Sequence, residues 1–375
     1  MSIVSAIPVE TRLAASRTTT APSPVNSDVS AKRLSAFRRA LLRWYDKHRR
    51  ALPWRETRDP YRIWLSEIML QQTRVAAVLG HYRIFLQRFP NVQALAAASE
   101  DDVLAAWSGL GYYRRARMLH QTAQQITEKH GGCFPRSSEA LLILPGIGRY
   151  TAAAVASIAF AEPAAVVDGN VERVLQRFVG INLTTPQIWH HAQALLANSR
   201  PGDFNQAMME LGATVCAPRE PRCPICPLRN WCAMQQSQQS MERPAPPPGP
   251  ATNSSRQVKK EIWCVLNQRD GGIRLVQRPK TSSLMPGMWE LPQSFEPPRA
   301  LPASGHWRTF RHSITITDYT VHVVRKTSLR NTSLRNAPLP DAPPAAKGKW
   351  IAIGRIPQTP ITGLTRKILR AGGII

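Results

Sequence analysis

Four cysteines, Cys216, Cys223, Cys226 and Cys232, follow a C-x6-C-x2-C-x5-C spacing. Soft thiolates gathered by local turns make either a zinc site or an iron–sulfur cluster. Structural zinc usually uses two C-x2-C knuckles separated by a longer stretch. Only one such pair is present, so the spacing favours a single [4Fe-4S] cubane. Pro218, Pro221, Pro224 and Pro227 stiffen the intervening loops, and Arg219, Arg222 and Arg229 set positive charge around them, suited to a phosphate backbone. Cys133 and Cys264 fall outside the spacing and read as ordinary buried thiols. A second constellation is Leu144-Pro145-Gly146-Ile147-Gly148-Arg149-Tyr150-Thr151. Gly146 and Gly148 let a phosphate approach the backbone, and a helix starting there offers free N–H groups and the positive end of its dipole. Two carboxylates complete the set. Glu67 lies among Trp64, Leu65 and Ile68, where burial would raise its pKa and make it a proton donor. Asp168 ends the apolar Val166-Val167 and precedes Gly169, where it can cap a helix and still present its charge.

These groups need a scaffold, and 375 residues suggest two compact domains with linkers. Residues 1–30 are rich in Ser, Thr and Pro and read as a disordered leader without the pattern of a secretory signal. Residues 31–240 carry helical periodicity with start signals such as Ser99 before Asp102 and Thr185 before Pro186, an all-α region. The stretch 241–255 contains Pro244, Pro246, Pro247, Pro248 and Pro250, a semi-rigid linker. Residues 256–375 switch to alternation, with a hairpin at Asp270-Gly271-Gly272 and a short helix near Leu364 to Leu369, an α+β domain. No apolar run reaches the roughly 20 residues that span a bilayer. Lys and Arg total 49 against 24 Asp and Glu, a net charge of +25, which points to a polyanionic partner. Clustered cysteines in a chain of this length fit a reducing cytoplasm better than a secreted disulfide framework.

Taken together, residues 31–235 resemble the helix–hairpin–helix, iron–sulfur DNA glycosylases of the endonuclease III superfamily. Leu65-Ser66-Glu67-Ile68-Met69-Leu70-Gln71-Gln72-Thr73 narrows the resemblance to the adenine glycosylase (MutY) family. Gly109-Leu110-Gly111-Tyr112-Tyr113, Val167-Asp168-Gly169-Asn170-Val171 and Met209-Glu210-Leu211-Gly212-Ala213 follow in the expected order. The resemblance implies two helical subdomains with the iron–sulfur loop at 216–232. It also implies that Glu67 protonates adenine N7 and handles the attacking water, and that Asp168 stabilises the sugar cation, the division of labour that an oxocarbenium-like transition state asks for. Bifunctional relatives carry a Lys where Tyr150 stands, and a phenol cannot form a Schiff base. A monofunctional enzyme is therefore expected, with Tyr150 and Asn170 as polar support near the sugar. Glu210 is expected to contact the extruded adenine, and Gln72, Thr73, Leu110 and Tyr112 to meet DNA as the base is flipped out.

The C-terminal residues 256–375 resemble the MutT/Nudix-like domain of the same family, which recognises 8-oxoguanine, through Leu284-Met285-Pro286-Gly287-Met288-Trp289-Glu290-Leu291-Pro292. The carboxylate-rich helix of a true Nudix hydrolase is absent. The family's Phe-Ser-His turn aligns with Ile314-Thr315-Ile316, where only Thr315 keeps hydrogen-bonding capacity and His312 and Ser313 stand nearby to supply the rest. The expectation is a cytoplasmic monomer that excises adenine opposite 8-oxoguanine or guanine in duplex DNA. The competing readings are an endonuclease III-like glycosylase/lyase and a catalytically silent iron–sulfur DNA-binding protein.

Overall fold

The computed structural model describes residues 24–239, 258–297, 306–314, 316–327 and 348–375. The expected linker at 241–255 lies outside them, as does Thr315. Twelve helices form the first part of the described chain: α1 (Pro24–His48), α2 (Pro60–Leu70), α3 (Val75–Arg88), α4 (Val92–Ala97), α5 (Glu100–Trp107), α6 (Tyr113–His130), α7 (Ser138–Leu142), α8 (Arg149–Phe160), α9 (Gly169–Val179), α10 (Thr185–Leu195), α11 (Pro201–Thr214) and α12 (Ala233–Gln239). The helical region thus starts at Pro24, inside the leader expected to run through residue 30.

Local chemistry sets these boundaries. Asp59 accepts a bond from the Tyr61 amide and Pro60 follows it, so α2 starts at a capped position with φ already fixed. Eight of the eleven α2 residues are buried, as expected of a helix apolar on every side. Ser99 caps α5 through the Asp102 amide, ahead of Glu100, Asp101 and Asp102 in the first turn. The start of α10 lies one residue earlier than the sequence signal implied. Thr184 is the cap, in a reciprocal box with Gln187, and Thr185 is already helical.

Two apolar cores divide the helices. One runs through α2 to α8 and is centred on Trp64, Leu65, Phe85, Leu95, Trp107 and Leu119. The other joins Phe37, Leu41 and Tyr45 of α1 to Val174 and Leu175 of α9 and to Phe204 and Leu211 of α11. Met209 packs against both, which puts α11 along the seam. No helix among the described residues is long and apolar enough to cross a membrane.

The C-terminal unit is a seven-stranded sheet of described residues with a helix on it. Its strands are β1 (Val258–Arg269), β2 (Gly272–Gln277), β3 (Trp289–Glu290), β4 (Gln293–Ser294), β5 (His306–Ile314), β6 (Thr317–Thr327) and β7 (Lys349–Ala352), and α13 (Gly363–Ala371) follows. The order is β3-β2-β1-β6-β5, with β4 on β1 and β7 on β2. β1 and β2 form the expected hairpin around Asp270-Gly271, both with positive φ. β1 lies parallel to β6 along its length, from Val258 opposite Thr317 to Gln268 opposite Thr327. Leu364, Ile368 and Leu369 press α13 onto the sheet core of Leu266, Leu275 and Val323. The unit also touches the helical part: Met288 is fully buried in the first helical core, and Arg117 Nη2 donates to the Pro286 carbonyl at 2.6 Å.

Candidate active site and nucleic-acid face

Glu67 sits near the C-terminal end of α2, where the helix crosses α8, and only 6% of it is exposed. Burial raises its pKa to about 7, against the opposing effect of a hydrogen bond from Tyr150. That bond, Tyr150 Oη to Glu67 Oε2 at 2.6 Å, crosses from α8 to α2 and fixes the carboxyl's orientation. Burial, with the Glu67 charge beside it, pushes the Tyr150 phenol well above its usual value, so it remains a donor. A buried carboxyl that is half neutral near pH 7 is suited to deliver a proton.

Asp168 caps α9, its Oδ1 accepting from the amides of Asn170 at 3.0 Å and Val171 at 2.8 Å. Its Oδ2 accepts from Asn170 Nδ2 at 2.8 Å, and Arg173 Nη2 in turn donates to Asn170 Oδ1 at 2.9 Å. Capping and the catalytic placement of the charge are therefore compatible. The Asp168 charge also acts on Glu67 and Tyr150, so the two carboxylates lie close enough to influence each other. α9 and α11 meet at Gly212, where an added Cβ would stand 2.6 Å from Asn170 Cβ. Only glycine permits that approach.

Glu210 is fully buried on α11 and not on an exposed helix face. Burial alone would raise its pKa, but Arg50 Nε and Nη2 and Arg55 Nη2, each at 2.7 Å, outweigh it and hold the carboxyl down at about 2. Sequence reasoning missed both arginines. They lie between α1 and α2, and nothing local ties them to a carboxylate 160 and 155 residues away.

Gln72, Thr73, Leu110 and Tyr112 are brought together by another residue absent from the sequence reading, Arg115 on α6. Its Nη1 donates to the carbonyls of Ile68 and Met69 at 2.9 and 3.1 Å and to that of Gln71. Its Nη2 reaches Thr73 Oγ1 at 3.1 Å and the Leu110 carbonyl at 3.3 Å, and its guanidinium lies over the Tyr112 ring. Gln72 and Tyr112 both hold positive φ, uncommon for residues with a Cβ, and Tyr112 is 57% exposed whereas Leu110 is buried. These loops border a cavity of about 320 Å³, whose far wall is Pro145 and Gly146 of the α7–α8 hairpin. Thr122 Oγ1 donates to the Pro145 carbonyl, and Gly148 caps α8 with no side-chain partner, leaving first-turn amides free.

Cys216, Cys223, Cys226 and Cys232 surround one spot beyond α11, each close enough to the others for their charges to interact. Among the described residues no three His, Cys, Asp or Glu side chains are close enough to hold one metal ion. Cys133, expected to be buried, is exposed, whereas Cys264 is buried. Arg177, 8% exposed on α9, donates to Cys216 Sγ at 3.3 Å and to the carbonyls of Ala217 and Pro218 at 2.7 Å, fastening the start of the loop.

His312 and Ser313 lie in β5, paired with Tyr319 and Asp318 of β6. On the same strand Phe310 is buried in the sheet core and Arg311 is exposed.

The fold and site define a helix–hairpin–helix protein with a buried carboxyl, an anchored second carboxylate and a hairpin whose following helix has no side-chain cap. Residues 65–196 match the model of the HhH-GPD superfamily of base excision DNA repair proteins. Adenine DNA glycosylase of Rattus norvegicus is 42% identical over 330 residues, 74% of this chain and 63% of that protein. Its Arabidopsis thaliana counterpart is 37% identical over 297 residues, 68% and 47% of the two chains. The solved structure of a thermostable thymine-DNA glycosylase is 33% identical, with a TM-score of 0.53, and aligns over 56% of this chain and all of that one. The chain belongs to the HhH-GPD superfamily and, within it, to the adenine DNA glycosylase family. It spans less than two thirds of the length of these curated relatives.

Proposed function

We propose that the protein is a monofunctional DNA glycosylase that hydrolyses the N-glycosidic bond of adenine paired with 8-oxoguanine or guanine, leaving an abasic site. The observation that carries this reading is the buried Glu67 carboxyl held at 2.6 Å by Tyr150, a phenol where a lyase needs an amine. Neutral Glu67 donates its proton to adenine N7, and the N9–C1′ bonding pair leaves with the base. The sugar cation that forms faces the Asp168 carboxylate, whose hydrogen bonds from α9 hold it in place. Water then adds to C1′ and gives its proton to Glu67, which restores the acid.

Cys216, Cys223, Cys226 and Cys232 would hold one [4Fe-4S] cluster, a group that supplies structural order to the arginine-bearing loop. Gly146 and Gly148 would receive a phosphate, Gln72, Leu110 and Tyr112 would fill the duplex as the base leaves, Thr73 would contact the DNA beside them, and Glu210 would line the adenine pocket. In the Nudix-like C-terminal domain, His312 and Ser313 are the candidates for reading the opposite base, together with Thr315. Glu290, the acid of the Leu284–Pro292 motif, is paired with Arg278 at 2.9 Å, which speaks against Mg²⁺ binding there. The partner is duplex DNA, the expected state a monomer and the expected compartment the cytoplasm.

The test is a labelled duplex with adenine opposite 8-oxoguanine or guanine, quenched with and without hot alkali. Strand breaks only after alkali support the reading, and breaks without alkali identify a lyase. No breaks with intact binding point to the silent iron–sulfur binder. Because a thymine-DNA glycosylase shares the fold, a T·G duplex is included, and preferential thymine excision would reassign the base.

A further inference from the structure

The loop between α5 and α6, residues 108–112, is held from the C-terminal unit. Ser108 is 2% exposed; its Oγ donates to the Ile361 carbonyl at 2.7 Å and accepts from Arg366 Nε at 2.9 Å. Tyr113 Oη, at the far end of the same loop, is 3.4 Å from the same Ile361 carbonyl. One carbonyl of the C-terminal unit therefore receives both ends of the loop. Ile361 is itself fixed by a parallel bridge to Trp289, whose amide donates to Pro360 and whose carbonyl accepts from Thr362. Arg366 projects from α13, the helix that packs on the sheet.

The residues between these anchors are poorly disposed to hold their shape unaided. Gly109, Gly111 and Tyr112 have φ of +111°, +70° and +48°, the last at a cost to a residue with a Cβ. A Cβ on Gly109 would lie 2.9 Å from His81 Nε2 and 3.8 Å from Arg366 Cδ, so the loop is confined on both sides. A conformation with left-handed residues at three positions persists only where its surroundings over-determine it, and here part of those surroundings lies some 250 residues further along the chain.

We propose that Ser108 and Arg366 are positioning residues through which the C-terminal unit sets the conformation of the 109–112 loop, coupling contact with the opposite base to insertion of Tyr112. The proposal rests on the reading that this loop enters DNA as adenine is extruded. Ser108 touches neither base, and it acts by holding the residues that do.

The full-length protein is compared with Ser108→Ala, Arg366→Met, Arg366→Lys and the Ser108→Ala/Arg366→Met double variant. Single-turnover excision of adenine opposite 8-oxoguanine, duplex affinity, thermal melting and amide hydrogen exchange across residues 109–113 are measured. Each of Ser108→Ala and Arg366→Met is expected to slow excision about tenfold with duplex affinity retained, as a slightly misplaced loop would. Exchange at Leu110 to Tyr112 in the free protein is expected to quicken in both. The double variant should be no worse than Ser108→Ala, because that variant already removes the bond through which Arg366 holds the loop, and Arg366→Lys should recover part of the rate. Unchanged excision and exchange, a lowered melting temperature with normal rates on the folded fraction, or multiplicative losses in the double variant would each overturn the proposal. Should the unmodified protein excise no adenine, the functional reading fails, and the exchange data alone decide whether the junction orders the loop.

Discussion

Removing the Glu67 carboxyl separates chemistry from stability. Glu67→Gln is expected to lower single-turnover excision by about 10²–10⁴-fold, the usual contribution of a positioned acid, with duplex binding retained. In the unsubstituted protein the rate should fall as pH rises through about 7, where the acid loses its proton. Tyr150→Phe removes a hydrogen bond that favours the carboxylate, so the Glu67 pKa rises and the falling limb moves to higher pH. The same shift governs folding. A carboxyl with a raised folded-state pKa is neutral in both states at low pH and costs stability as pH climbs from its unfolded value towards the folded one. Glu67→Gln should therefore raise the melting temperature at pH 8 and leave it unchanged at pH 4, which calorimetry at the two values would check. Glu67, Asp168 and the cysteines were legible because each carries its context in its neighbours. Arg50, Arg55 and Arg115 were not, since their meaning lies in carbonyls and carboxylates supplied by distant segments. Arg55→Ala would leave Glu210 short of a buried counter-charge and should cost about 3 kcal/mol, read from denaturant midpoints.

Among the elements, the crossing of α9 and α11 places Asp168 relative to α8. Gly212→Ala inserts a methyl group 2.6 Å from Asn170 Cβ, so α9 must move, taking the Asp168 cap with it. The expected result is about 1–3 kcal/mol of destabilisation and a slower chemical step with little change in duplex affinity, measured by denaturation and single-turnover kinetics. Helix and strand types followed from periodicity, and the α7–α8 and β1–β2 hairpins from their glycines. Boundaries were harder: Thr184 rather than Thr185 starts α10, because a cap is defined by the bond its side chain makes and not by residue type alone. The placement of His312 and Ser313 in a strand was not legible for a related reason. A strand can continue through a polar stretch when a partner strand, here β6, takes up its backbone groups.

At the scale of the molecule, a net charge of +25 predicts a steep response to salt. Affinity for undamaged duplex should fall by about 10³-fold or more between 50 and 200 mM salt, with a log–log slope near the number of phosphates engaged, as fluorescence anisotropy would show. The division into helical and sheet-bearing parts was legible from the change of period, but the contact between them was not, because no local pattern links Ser108 to Ile361. The arrangement of the two helical cores has a further consequence for how the chain is made. The core of α2 to α8 is almost continuous in sequence, whereas α1 closes against α9 and α11. During synthesis from the N-terminus, the segment emerging first has no partner until well over a hundred further residues have followed, while the middle of the helical region can already collapse. Ribosome-bound chains halted once α8, but not α9, has emerged from the exit tunnel should thus resist protease across α2 to α8 and be cut within α1. Chains halted after the cysteine loop has emerged from the exit tunnel should be protected throughout.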